Sequence, residues 1–77
     1  MVAVNLSRLN RCTDKNETVA IPGKVLGGGE IRHSLTVTAL TFSKKAKTKI
    51  EAVNGRCLSF SDLIKENPIG SNIKILG

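Results

Sequence analysis

The run Ser43-Lys44-Lys45-Ala46-Lys47-Thr48-Lys49 has the residue types and spacing best suited to a definite chemistry. Serine is a favoured helix N-cap, because its hydroxyl oxygen accepts from amides that the first turn leaves free. Lys44 and Lys45 would then lie at the positive end of the helix macrodipole, which costs about 0.3–1 kcal/mol each. A phosphate docked there would offset that cost, since backbone N–H groups, the Ser43 hydroxyl and the lysines would converge on one anion. A solvated lysine face is the open alternative from this run alone.

Other chemistries find little material. Four candidate serines fall in caps and turns, His33 is the single histidine, tyrosine is absent, and no pair has the spacing of a nucleophile beside its base. Asp62 and Glu66, four apart on a helix, read as a solvated face rather than an acid–base pair. No enzyme is expected, and no catalytic residue. Gly23-Lys24-Val25-Leu26-Gly27-Gly28-Gly29-Glu30 fits neither the phosphate-loop pattern nor the dinucleotide fingerprint, and no helix follows it, so it reads as a turn. Cys12 and Cys57 form no Cys-x-x-Cys pair and, with His33, would make three scattered ligands. They read as small reduced hydrophobes, with no metal site and no cofactor.

The chain has 77 residues and a net charge of +6, with 40% hydrophobic and 23% charged residues. That is a globular balance with room for one domain, spanning 1–77. Its apolar runs are far short of the roughly 20 residues of a membrane span. The N-terminus shows no export signal, so the chain is expected to be soluble and cytoplasmic, without a membrane partner or a small-molecule substrate. All of the excess charge falls between Met1 and Lys49, carried by Arg8, Arg11, Lys15, Lys24, Arg32, Lys44, Lys45, Lys47 and Lys49. The neutral remainder reads as scaffold and the basic segment as a surface for a polyanion. Phe42 and Phe60, the only aromatics, are both expected in the core, which leaves no platform for stacking unpaired bases. Binding through phosphates of structured nucleic acid follows, with affinity falling by roughly 0.7–0.9 log unit per log salt for each phosphate neutralised.

The elements that must position these groups follow from local pattern. Asn5 is expected to cap a short helix to Cys12, with Leu6 and Leu9 inward and Arg8 and Arg11 together on the solvent side. Thr13-Asp14-Lys15-Asn16 reads as a turn. Thr18–Leu26 reads as a strand that lies at an edge or bends at Pro22-Gly23, because proline cannot donate to a ladder. Gly27-Gly28-Gly29 supplies a flexible turn. Leu35–Phe42 reads as an internal strand with Leu35, Val37 and Ala39 on one face and Leu40 and Phe42 on the other. A helix capped by Ser43 follows, with Ala46, Ile50 and Val53 as its apolar stripe and a stop at Asn54-Gly55. Arg56–Ser59 reads as a short strand, and Ser59 with Asp62 as a capping box for a helix holding Leu63 and Ile64, ended by Pro68 and Gly70. Asn72–Leu76 reads as a last strand with Ile73 and Ile75 on one face. The class is α/β, one small domain with a short mixed sheet.

Pro22 to Ile31, followed by Leu35 to Gly55, resembles the shared domain of large-subunit ribosomal proteins fifteen (bacterial) and eighteen-e (archaeal). Val4-Asn5-Leu6-Ser7-Arg8-Leu9-Asn10-Arg11 and Glu66-Asn67-Pro68-Ile69-Gly70-Ser71-Asn72-Ile73-Lys74-Ile75 resemble the eighteen-e branch, so the similarity covers residues 4–77. The resemblance implies an irregular strand-strand-helix superhelix and a non-catalytic, archaeal-type component of the large subunit. Its partners would be ribosomal RNA and neighbouring large-subunit ribosomal proteins. The matching basic and turn residues are Arg8, Arg11, Lys24, Gly27, Gly29, Lys44, Lys47, Lys49 and Lys74. Lys45 and Ser43 join them through the helix-end argument, and Arg32 as part of the basic segment. Ser34 and Ile69 stand where relatives commonly carry a basic residue. Family members usually begin with several dozen further basic residues, and this chain opens close to the shared domain, so it is expected to lack that extension. The alternative reading is a short stand-alone paralogue, a non-ribosomal RNA-binding or protein-interaction module.

Overall fold

The computed structural model describes residues 2–66 and 73–76. In chain order the elements are β1 (Val2–Asn5), α1 (Leu6–Cys12), β2 (Thr18–Leu26), β3 (Thr36–Phe42), α2 (Lys44–Ala52), β4 (Arg56–Leu58), α3 (Phe60–Glu66) and β5 (Ile73–Ile75). The strands run β1-β2-β3-β4, with β5 also on β2. Every pair is parallel, so the α/β class holds while the expected mixed pairing does not. The reason lies in the connections. α1, α2 and α3 each carry the chain back across the sheet, which lets the next strand start from the same end.

β2 is central rather than an edge strand. β1 pairs with Gly23–Leu26 and β5 with Thr18–Ala20 along one side, while β3 takes the other. Pro22 falls in the gap between β1 and β5, and also inside the β2–β3 register shift between Ile21 and Lys24. The bend expected there is present, and the ladder runs short of donors only where it is already interrupted. Gly23 is required at this place, since a Cβ on it would collide with the Val2 carbonyl.

Handedness sorts the helices. β1-α1-β2 and β3-α2-β4 step across the sheet in the same direction, so right-handed crossovers put α1 and α2 on one face. β4-α3-β5 steps back, which puts α3 on the other, where it packs on β3. The core agrees. Leu6 and Leu9 of α1, Ala46 and Ile50 of α2, and Val19, Ile21, Val37 and Ala39 of the sheet form one buried cluster with Val4, Val25, Ile31 and Leu35. Burying each large apolar side chain contributes about 1.5–3 kcal/mol.

Among the described residues every buried apolar side chain except Leu63 lies at or before Ile50. The division into a basic front surface and a neutral rear scaffold is therefore overturned: the basic segment supplies the core as well as the charge, because its strands and helices alternate inward apolar with outward cationic positions. Phe42 packs half-buried against the cluster, and Phe60 is half-buried at the start of α3. Leu40, expected on a packed face of an internal strand, faces solvent instead at 63% exposure, as do Ile64 at 63% and Ile75 at 74%. They lie away from the face that α1 and α2 cover. The expected helix end at Pro68 and Gly70, and Asn72, lie outside the described residues.

Candidate nucleic-acid interface

A parallel sheet gives its two ends different characters. At the carboxyl end of the strands stand the starts of α1, α2 and α3 and the Gly27–Gly29 loop that leaves β2. Helix starts leave amides without intrahelical partners, so this end is biased toward anions. Ser43 caps α2 as expected, its Oγ accepting from the Ala46 amide at 3.1 Å. Ser59 caps α3, its Oγ accepting from Asp62 N–H at 3.2 Å and donating to the Asp62 carboxylate at 3.0 Å. Asn5 is the N-cap residue of α1 but its side chain makes no capping bond. The Ser7 amide in that first turn donates instead to the Gly28 carbonyl at 3.2 Å.

The glycine stretch opens the crossover from β2 to β3. Parallel neighbours require a return along the sheet, so residues 27–35 carry the chain from one end to the other, burying Ile31 and Leu35 on the way. Gly29 has φ +79, a conformation side chains other than glycine's rarely adopt. A Cβ there would collide with Ser7 Cβ, and one on Gly27 would lie 2.7 Å from Lys45 Cβ. The loop is thus wedged between the first turns of α1 and α2. Lys49 Nζ reaches back from the second turn of α2 to donate to Gly27 O at 3.1 Å and Gly29 O at 2.8 Å.

The fold thereby brings together Gly27, Gly29, Ser43, Lys44, Lys45 and Lys49, with Lys47 exposed on the same helix. Lys44, Lys45, Thr48 and Lys49 line a shallow groove of about 480 Å³. Arg8 is exposed on the first turn of α1, in the same helical layer. Asn5, read in the sequence only as a helix cap, and Ser7, given no role there, also belong to this end. The four-residue β1 that places them shows only the Val2/Val4 alternation, too short to stand out as a strand.

Other expected site residues lie elsewhere. Lys24 is in register with Ala3 and Thr41, on the face opposite the α1–α2 layer. Arg11 sits in the last turn of α1, at the amino end of the sheet. Arg32 lies beside that helix, its amide donating to Asn10 Oδ1 at 3.0 Å. Lys74 donates to the Cys12 carbonyl at 2.6 Å. At this same end the Thr13 hydroxyl gives its proton to Leu9 O at 2.6 Å. It must therefore accept from His33 Nε2, 2.9 Å away, which makes that nitrogen the protonated one. Ser34 donates to Asn16 Oδ1 at 3.0 Å, closing the polar seam.

Among the described residues the one ion pair joins Arg56 to Glu66 at 2.7 Å, and no expected site residue faces a carboxylate at that range. Cys57 is half-buried with its thiol pKa raised, chiefly by burial and then by the Glu51 charge, against a lowering by Lys47. Within the same residues no three His, Cys, Asp or Glu side chains cluster as metal ligands, and no helix is long and apolar enough to cross a membrane.

A family model that groups the ribosomal proteins 50S-L15 and 50S-L18e with a 60S counterpart matches residues 3–58. The chain belongs to this family. It is 50% identical over 74 residues to the large ribosomal subunit protein eL18 of Methanothermobacter thermautotrophicus, covering 96% of this chain and 61% of that protein. The eL18 proteins of Methanoregula boonei and Halobacterium salinarum are 47% and 44% identical over 73 residues, or 95% of this chain and 60% and 62% of those proteins. This chain spans about three fifths of the length of these relatives. The resemblance read from the sequence, including its archaeal eighteen-e branch, is borne out.

Proposed function

We propose that this chain is a structural, non-catalytic constituent of the large ribosomal subunit, holding ribosomal RNA by its phosphates in the cytoplasm beside other large-subunit proteins. The observation that carries the reading is the group at the carboxyl end of the sheet in a chain of ribosomal family. Lys44, Lys45 and Lys47 project from a capped helix with no carboxylate in ion-pair range among the described residues. Their like charges repel one another and oppose the macrodipole, so a phosphate ridge relieves both. With two phenylalanines and no tyrosine or tryptophan, the side chains suit backbone contact rather than base stacking.

Two measurements test this. A lysate resolved on a sucrose gradient should carry the chain with the large subunit, and recovery only at the top of the gradient would overturn the ribosomal role. Purified protein titrated with a helical ribosomal RNA fragment should lose affinity linearly on a log–log salt plot, with a slope of at least about 2 for three phosphates. A flat plot would overturn phosphate binding.

A further inference from the structure

The four lysines of α2 share one sequence run, yet the fold treats one of them differently. Lys44, Lys45 and Lys47 are exposed, whereas Lys49 is half-buried. Two of the three N–H donors on its ammonium are committed to the carbonyls of Gly27 and Gly29. Between those two acceptors, the Gly28 carbonyl takes the Ser7 amide of α1. Three successive carbonyls of the glycine loop are thus held by donors from two different helices. The neighbouring approaches leave no slack, since a Cβ on Gly27 would strike Lys45 and one on Gly29 would strike Ser7.

We infer that Lys49 is a positioning residue and not one of the phosphate contacts: its ammonium clamps the Gly27–Gly29 loop, so that the first turns of α1 and α2 stand side by side as one preformed platform. This rests on the phosphate-binding reading above and divides the lysine run into two jobs. The physical basis is that a triple-glycine segment has more backbone freedom than any other. Left loose, it would have to be ordered when RNA binds, at a cost in affinity. Two charge-assisted bonds to the first and third carbonyls of the loop remove that freedom beforehand. The clamp also draws the Lys49 charge toward carbonyl oxygens, while the other three ammonium groups remain in water.

The test uses the full chain and separates the two jobs. Without RNA, the Lys49 ammonium should give a slowly exchanging proton-coupled nitrogen signal, unlike those of Lys44, Lys45 and Lys47, and Lys49→Met should lower the backbone order parameters of Gly27–Gly29 while those of Val19 and Val37 stay fixed. With a helical ribosomal RNA fragment, Lys49→Met should weaken binding on the order of tenfold and leave the salt slope unchanged, whereas Lys44→Gln and Lys45→Gln should each reduce the slope by roughly 0.7–0.9. A slope reduction of that size in Lys49→Met, or an unchanged loop, overturns the clamp. The ammonium signal is read on the wild-type chain, so it decides the matter even where the variant does not fold; fast exchange like that of the other lysines counts against the clamp. Absence of any salt-dependent binding by the wild type overturns phosphate binding instead, and the signal and loop order still judge the clamp.

Discussion

The two ends of the sheet use the same side-chain types for opposite purposes. At the amino end, polar and cationic groups close on the molecule itself: Lys74 on Cys12 O, the Arg32 amide on Asn10, Ser34 on Asn16, and Thr13 between Leu9 O and His33. At the carboxyl end, Lys44, Lys45 and Lys47 remain without an acidic partner among the described residues. The difference follows from direction. Helices that return along a parallel sheet point their amide-rich starts one way and their carbonyl-rich ends the other, so Lys74 meets the Cys12 carbonyl at the amino end, while at the carboxyl end only Lys49 of the α2 lysines is seen to reach carbonyls, those of the glycine loop.

The largest test of that contrast removes the free charges. Replacing Lys44, Lys45 and Lys47 together with Gln should reduce affinity for helical RNA by roughly a hundredfold near 0.15 M salt and lower the salt slope by about 2, while thermal stability holds or rises slightly. Replacing Arg11 and Lys74 with Gln should change the slope by less than about 1, and equal losses from the two sets would break the contrast.

A smaller effect probes the seam. Thr13→Val removes a buried hydroxyl bonded to both Leu9 O and His33, and should cost about 1–3 kcal/mol in denaturant unfolding. Thr38→Val should have the opposite sign, stabilising by about 1 kcal/mol, because Thr38 Oγ1 is buried with no hydrogen-bond partner among the described residues. A Thr13→Val chain no less stable than the wild type would show that the seam contributes nothing beyond packing.

The smallest effect is at Cys57. A thiol pKa raised by folding means the native state holds its proton more tightly than the unfolded chain. Stability from this group is therefore full below the ordinary thiol value of 9.0 and declines as pH rises through the raised one. Alkylation by iodoacetamide should accelerate at a higher pH for native Cys57 than for the unfolded chain. Coincident profiles would contradict the burial cause.

Much of this was legible in local pattern. Thr18–Leu26 matches its strand at both ends, because β-branched residues bounded by a turn and a glycine run leave little alternative. Ser43 and Ser59 cap as read, since capping needs only neighbours three residues away. α2 ends at Ala52, and the left-handed residue after it is Asn54, at φ 62. β1 and the central place of β2 were not legible, because both depend on segments far apart in the chain. Nor could Lys49 be told from Lys44: the two share a helix and a composition, and only the return of the loop places carbonyls beside one of them.

The α/β class, the capped helices and the excess of cations were set by the order of residues alone, since each depends on composition or on local pattern, and the family resemblance by several segments in order along the chain. Which cations meet acceptors and which stay free, and which half of the chain forms the core, was decided only when parallel pairing brought distant segments together. Hydrogen bonds and burial are contacts in space, and a linear chain specifies those through the packing of the whole.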